Sequence, residues 1–143
     1  MRLLKESEIP KQLLEIPQPP KKLYIVGNLP PKGSVYLAVI GSRRVTSYGR
    51  EACEKLLAGL RGYPIVIVSG LALGMDALAH EAALKNNLTT VAFPGSGLSE
   101  DTIVPFTNRM LARRILEAGG CWLSEYEPTQ PAALWTFPQR NRL

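Results

Sequence analysis

The stretch SGLALGMDALAH, residues 69 to 80, contains the residues whose types and spacing come closest to a chemical site. Asp76 and His80 are four residues apart, so on a helix they share one face. A carboxylate beside an imidazole is a pair that general base catalysis uses. The alternative is that Asp76 caps or braces the corner, while His80 is a hydrogen-bonded, half-buried support. No serine or cysteine is placed beside them as a nucleophile, which favours the structural alternative.

The same stretch is a strand-to-helix corner, because it follows the apolar run PIVIVSG (64–70) and leads into the helical segment 75–87. Free backbone N–H groups and the positive end of a helix suit such a corner to an anion, most often phosphate. Glycine lets the backbone approach a ligand closely, because it has no Cβ. The pattern therefore predicts a phosphate site formed by Ser69, Gly70 and Gly74.

The elements that must position this corner repeat as strand and then helix. Continuous apolar runs without alternation are typical of strands covered on both faces of a parallel sheet. Strands separated by helical segments predict βαβ units. The predicted fold class is therefore α/β, with a Rossmann-like parallel sheet of four strands and flanking helices. The predicted strands are 35–41, 64–70, 89–95 and 121–127, and the predicted helices are 46–62, 75–87 and 105–118.

Residues 1–34 differ from this pattern, because prolines at positions such as 10, 17, 19 and 20 break any long helix. Their apolar residues favour an extended arm that packs on the domain formed by residues 35–143. Within the arm, LYIVG (23–27) is a candidate extended segment.

Two further corners resemble the one at 69–74, and ligands of open α/β sheets bind at such strand ends. The first contains Gly41, Ser42 and Arg43, and the third contains Gly95, Ser96 and Gly97. The guanidinium of Arg43 could bind a phosphate through two parallel hydrogen bonds, or it could form a surface ion pair. The chain has neither G-x-G-x-x-G nor G-x-x-x-x-G-K-[ST], so no dinucleotide cofactor and no P-loop nucleotide are predicted.

The net charge is +5, from 17 Lys and Arg against 12 Asp and Glu, and it favours an anionic partner. Cys53 and Cys121 lie far apart and have no metal-ligand spacing, so we expect two buried or half-buried free thiols. A single histidine excludes a His-rich metal site. The chain has no secretory signal and no apolar run of membrane length, which favours a reducing cytoplasm without membrane contact.

The C-terminal segment WTFPQRNRL (135–143) combines two aromatic residues with Arg140 and Arg142. Aromatic rings beside arginines suit stacked, unpaired bases and their phosphates. An aromatic pair that packs in the core before a short helix explains the same pattern, so both interpretations stay open.

Several motifs, taken in their order, resemble one family. They are IGSRRVTSYG (40–49), VSGLALGMDALAH (68–80), PGSGL (94–98), NRML (108–111), LSEY (123–126) and FPQRNR (137–142). Together they are similar to the DprA/Smf family, the bacterial DNA-processing proteins of natural transformation. The resemblance extends from about residue 9 to the last residue.

The resemblance implies a Rossmann-like domain that binds single-stranded DNA, protects incoming DNA and loads the RecA recombinase onto it. It implies no catalytic reaction, and it implies a homodimer. The DNA-binding positions that it implies here are Gly41, Ser42, Arg43, Ser69, Gly70, Gly74, Gly95, Ser96, Gly97, Asn108, Arg109, Arg140, Asn141 and Arg142. Asp76 and His80 are expected to support the second corner.

The FPxRNR element of the family continues into a helix and at least two more strands. The resemblance therefore implies a sheet that is incomplete at the C-terminus, and we expect self-association or a lowered stability. Two alternatives to DNA binding stay open. One is a nucleoside-monophosphate phosphoribohydrolase, with Glu100 of PGSGLSE (94–100) in an approximate catalytic place. The other is a protein-interaction module without DNA affinity.

Overall fold

The computed structural model describes all 143 residues and contains one six-stranded sheet. The strands lie in the order β1-β2-β6-β5-β4-β3 across the sheet. The bounds are β1 Arg2–Leu3, β2 Tyr24–Gly27, β3 Val35–Ala38, β4 Ile65–Ser69, β5 Thr89–Ala92 and β6 Cys121–Ser124. The helices are α1 Lys11–Leu14, α2 Ser47–Gly59, α3 Met75–Lys85, α4 Arg109–Glu117 and α5 Thr136–Arg140.

The four predicted strands are present and run parallel as β3, β4, β5 and β6, which confirms the Rossmann-like α/β fold. The central strands are apolar on both faces because both faces are covered. Every residue of β6 is buried, and so are Val66, Ile67 and Ser69 of β4. Because the strands are parallel, their carboxyl ends meet at one edge of the sheet.

The count of four strands was wrong, because the N-terminal residues add two more. β2 pairs antiparallel with β6, with Tyr24 opposite Ser124 and Gly27 opposite Cys121, and β1 pairs antiparallel with β2. The partner of β2 lies about a hundred residues away in the chain, so no local pattern could show that LYIVG joins this sheet. β3 forms the opposite edge, and its side chains are largely exposed.

Apolar side chains cover the sheet on both faces. On one face, Leu4, Ile9, Leu13 and Leu23 of the N-terminal residues pack against a cluster that includes Val91. On the other face, α2 and α3 meet over β4, and α4 packs beside them through Leu111, Ala112 and Ile115. The alanines at 79, 82 and 83 let α3 approach its neighbours closely. Burial of this apolar surface is the main stabilising term.

The helix boundaries follow from local chemistry. The hydroxyl of Thr46 accepts a hydrogen bond from the Gly49 N–H at 3.1 Å and caps α2. The predicted helix 105–118 begins instead as a short 3-10 turn at Phe106–Asn108, followed by α4.

Cys53 and Cys121 are buried free thiols, as predicted. No helix combines the length and the apolar character that crossing a membrane requires.

Candidate nucleic-acid interface at the strand ends

A cavity of about 400 Å³ opens at the carboxyl ends of β3, β4 and β5, where the chain end folds over them. It combines apolar walls with a few polar groups, as ligand pockets usually do. Seven of the residues predicted to bind DNA or to support the corner line it, namely Gly41, Arg43, Ser69, Gly70, Asp76, Arg140 and Asn141. The other lining residues are Ala38, Ile40, Val68, Ala72, Phe93, Phe137 and Leu143.

Arg140 forms the floor of this cavity and is only 8% exposed. Its Nη1 donates hydrogen bonds to the carbonyl oxygen of Gly70, at 2.7 Å, and to that of Phe93. Its Nε donates to Asn141 Oδ1 at 3.0 Å. Burial lowers the pKa of Arg140, and the nearby carboxylate of Asp76 opposes that shift. Arg140 therefore joins the ends of β4 and β5, and the carboxylate of Asp76 lies near enough to act on its charge.

Gly70 makes room for this arginine. A Cβ on Gly70 would overlap the guanidinium of Arg140, closer than real Cβ contacts occur. The sequence predicts that this glycine admits a ligand, but the group that approaches its backbone in the structure is a side chain of the protein. Gly95 has the same relation to the ring of Phe137. Gly70 and Gly95 therefore make room for Arg140 and Phe137, two side chains that line the cavity.

Arg43 stands at the mouth of the cavity, exposed and without an acidic partner. Its Cζ lies 5.8 Å from the centroid of the Phe137 ring, within the range of a cation–π contact. Arg44 and Arg50 are also exposed and form no ion pair. The ion-pair alternative for Arg43 therefore finds no support, and the three guanidinium groups are available to an anion.

The corner that carries Arg43 is held by Gly74. Gly74 has a φ of +80°, and a Cβ there would overlap the carbonyl oxygens of Ser42 and Arg43. The Met75 N–H donates to the Ser42 carbonyl at 3.0 Å, and the Ser42 hydroxyl accepts from the Arg44 N–H at 3.0 Å. The corners after β3 and β4 are thus packed directly on each other.

Asp76 and His80 have different surroundings despite their shared helix face. Asp76 lines the cavity, and its Oδ2 accepts a hydrogen bond from the Ala72 N–H at 3.4 Å. His80 is fully buried, and its Nδ1 lies 2.7 Å from Thr90 Oγ1, which donates to the Ile67 carbonyl at 2.9 Å. His80 does not line the cavity, so the geometry favours a supporting role over general base catalysis.

The burial of His80 predicts a pH dependence of stability. Burial lowers the pKa of His80 from 6.5 to about 3. As the pH falls below the unfolded value, the unfolded chain binds a proton that the folded chain excludes. Stability should therefore fall by about 1.4 kcal/mol per pH unit between those two values. The measurement is the unfolding free energy in denaturant at about pH 7 and about pH 5, for the wild type and His80→Gln. An equal loss in both proteins would contradict this assignment.

Eight of the fourteen predicted DNA-binding residues do not line the cavity. Four of these eight lie in the third corner or at the start of α4 and contact the protein itself. Asn108 Nδ2 donates to the carbonyls of Leu71 and Ala72 at 2.9 and 3.1 Å, which stabilises the second corner. Arg109 Nε donates to the Ile103 carbonyl at 3.0 Å. Ser96 and Gly97 are buried, and Gly97 packs against the backbone carbonyls of residues 127 and 128. A role for these four residues in DNA binding stays a prediction.

Ser42 and Arg142 are the remaining members of the predicted set, apart from Gly74 and Gly95 described above. Ser42 is exposed on the first corner. Arg142 forms an ion pair with Glu125, with Nη1 2.5 Å from Oε2. Glu100, the catalytic candidate of the enzyme alternative, pairs with Arg113 and lies in a separate depression beside Phe106. No carboxylate takes its place in the cavity except Asp76, which faces Arg140.

The apolar walls of the cavity were not expected from the sequence. Ile40 is 75% exposed, and Leu143 and Phe93 come from segments far from it in the chain. No signal in the sequence distinguishes these residues from ordinary core positions, because the fold alone brings them together.

Comparison with known proteins places this arrangement in a family. The model of the family described as DNA recombination-mediator protein A matches residues 1–143. The chain belongs to this family. Protein Smf of Escherichia coli K12 is 41% identical over 138 residues, which are 94% of this chain and 35% of that protein. DNA processing protein DprA of Streptococcus pneumoniae R6 is 40% identical over 134 residues, which are 94% of this chain and 46% of that protein.

Solved structures of the DNA recombination-mediator protein A family have the same fold. DprA from Streptococcus pneumoniae superposes with a TM-score of 0.87 at 37% identity, over 99% of this chain and 49% of that chain. DNA processing protein A from Helicobacter pylori, described for its unique single-stranded DNA binding mode, gives 0.81 at 36% identity over 98% and 62%. The chain therefore spans 35% and 46% of the length of the Smf and DprA proteins named above, and 49% and 62% of the two solved chains. The resemblance found in the motifs is confirmed.

Proposed function

We propose that this chain binds single-stranded DNA in the cavity at the strand ends, without catalysing a reaction. The observation that supports this most strongly is the unpaired Arg43 guanidinium beside the Phe137 ring at the cavity mouth. Arginine and aromatic rings together bind unpaired bases by stacking and phosphates by charge. Membership of the family supports the same ligand.

The polar groups favour a base over a phosphate inside the cavity. The carboxylate of Asp76 would repel a phosphate, and Arg140 already donates to two carbonyls and faces that carboxylate. The side walls include Ile40 and Phe137, which suit the faces of a planar base. Phosphates would then lie outside, on Arg43, Arg44 and Arg50. A paired base could not enter, so the cavity selects single strands.

Family membership also supports the wider role that we propose. In natural transformation the protein would protect incoming single-stranded DNA and load RecA onto it in the cytoplasm, acting as a homodimer. Because the chain spans only 35% and 46% of the Smf and DprA proteins, the test below concerns DNA binding alone.

The test is the fluorescence anisotropy of a labelled thymidine oligomer and of a matched duplex, titrated at several salt concentrations. Arg43→Ala should weaken single-strand binding roughly ten-fold and lower the salt slope by about 0.7, the value for one phosphate contact. Arg61→Ala is the matched control, because Arg61 is exposed near the amino end of β4, away from the cavity. Equal losses in both variants, or equal affinity for the duplex, would contradict the proposal.

A further inference from the structure

Arg142 donates hydrogen bonds to three other residues of the protein. Its Nη1 and Nη2 donate to the two carboxylate oxygens of Glu125 at 2.5 and 2.6 Å. Its Nε donates to the carbonyl of Gln18 at 2.9 Å, and Nη1 also donates to the carbonyl of Gln139 at 2.8 Å. The side chains of Arg142 and Glu125 are only 23% and 11% exposed.

These contacts join three parts of the molecule. Glu125 directly follows β6, Gln18 belongs to the N-terminal arm, and Gln139 belongs to α5. The neighbours of Arg142 in the chain, Asn141 and Leu143, both line the cavity. The orientation of the cavity wall formed by residues 140–143 therefore depends on where Arg142 is held.

The pairing leaves Arg142 poorly suited to bind phosphate. Both carboxylate oxygens of Glu125 already accept from its fork, so a phosphate would have to displace a bidentate and largely buried partner. Arg43 differs in this respect, because no acidic group neutralises it. Arg43 and Arg142 are both predicted to bind DNA, but only Arg142 is paired with a carboxylate.

We propose that Arg142 is a positioning residue, which ties the wall at residues 140–143 to the N-terminal arm and so keeps the cavity in its binding geometry. The arm is then a part of the binding site, although none of its residues lines the cavity. This inference rests on the proposed binding of single-stranded DNA.

Two conservative variants separate positioning from phosphate contact. Arg142→Lys keeps the charge but loses the fork that spans Glu125 and Gln18, and Glu125→Gln removes the neutralising charge while Arg142 remains. Positioning predicts that both variants bind the labelled thymidine oligomer about five-fold more weakly, with an unchanged salt slope. Phosphate contact predicts that Arg142→Lys binds normally and that Glu125→Gln binds more tightly, with a steeper slope. That result, or unchanged affinity in both variants, would overturn the proposal.

Amide hydrogen exchange of the same proteins gives a readout without DNA. Both variants should exchange faster in the arm around Gln18 and in residues 137–143, whereas Arg61→Ala, which lies away from the cavity, should exchange like the wild type in both segments. If the wild type binds no single-stranded DNA, the proposed function fails. Hydrogen exchange then still tests whether Arg142 holds the wall at residues 140–143 against the N-terminal arm. Unchanged hydrogen exchange in both segments of both variants would overturn the proposal that Arg142 is a positioning residue.

Discussion

Arg140→Met is expected to destabilise the protein by about 2–4 kcal/mol, because each buried acceptor left without a donor costs about 1–3 kcal/mol. The substitution removes a positive charge near the carboxylate of Asp76, which is 8% exposed. It also leaves the carbonyls of Gly70 and Phe93 without the donor that they share. A domain of this size has a total stability of about 5–15 kcal/mol, so the variant is expected to lose a large part of its stability.

Chemical denaturation of Arg140→Met beside Arg44→Met tests this prediction. Arg44 is exposed and has no buried partner, so its substitution should change the stability by less than about 0.5 kcal/mol. The double variant Asp76→Asn with Arg140→Met removes both charges and should recover part of the loss. A loss for Arg140→Met no larger than that for Arg44→Met would show that the stability of the cavity floor does not depend on Arg140.

Gly74→Ala is expected to destabilise the protein by about 3 kcal/mol, for two reasons that add. Its φ of +80° is unfavourable for any residue with a side chain. In addition, the new Cβ would overlap the carbonyl oxygens of Ser42 and Arg43, which are backbone atoms and cannot rotate away. Relief of the overlap must move the corner that carries Arg43, so we also expect weaker binding of single-stranded DNA.

Gly62→Ala provides the matched control for this variant. Gly62 has a φ of +87°, but a Cβ there would meet no atom within 4 Å. Its substitution should therefore show the backbone strain alone, about 1 kcal/mol. The difference between the two variants measures how tightly the first two corners pack. Equal destabilisation would mean that the overlap is relieved without loss.

The parts of the fold that could be predicted are those that depend on residues close together in the sequence. The run at residues 64–70 indicated a buried strand, because an apolar segment of that length and composition is stable only between covered faces. The spacing of Asp76 and His80 likewise indicated one helix face. It could not show that one side chain enters a cavity while the other is buried behind it, because that depends on which elements pack around α3.

The sequence predicted the edge of the sheet at which the candidate site lies, but not which groups pack against its glycines. The corners after three strands were correctly expected to lie at one edge of the sheet, since parallel strands require it. Gly70 and Gly74 were assigned to ligand approach, yet the groups packed against them are Arg140 and the Arg43 corner. A glycine in a sequence shows that something comes close to the backbone. It does not show whether that group belongs to a ligand or to the protein.

The sequence by itself determined the α/β class, the parallel order of alternating elements and the family, because these depend on local pattern and on motifs in a set order. Only the tertiary structure decided which arginines are free. Arg43 and Arg142 are chemically identical, but Arg142 is neutralised by Glu125 and reaches Gln18, a residue 124 positions away. Charge and hydrogen-bond pairing act over a few ångströms in space, and the fold alone sets those distances for residues remote in the chain.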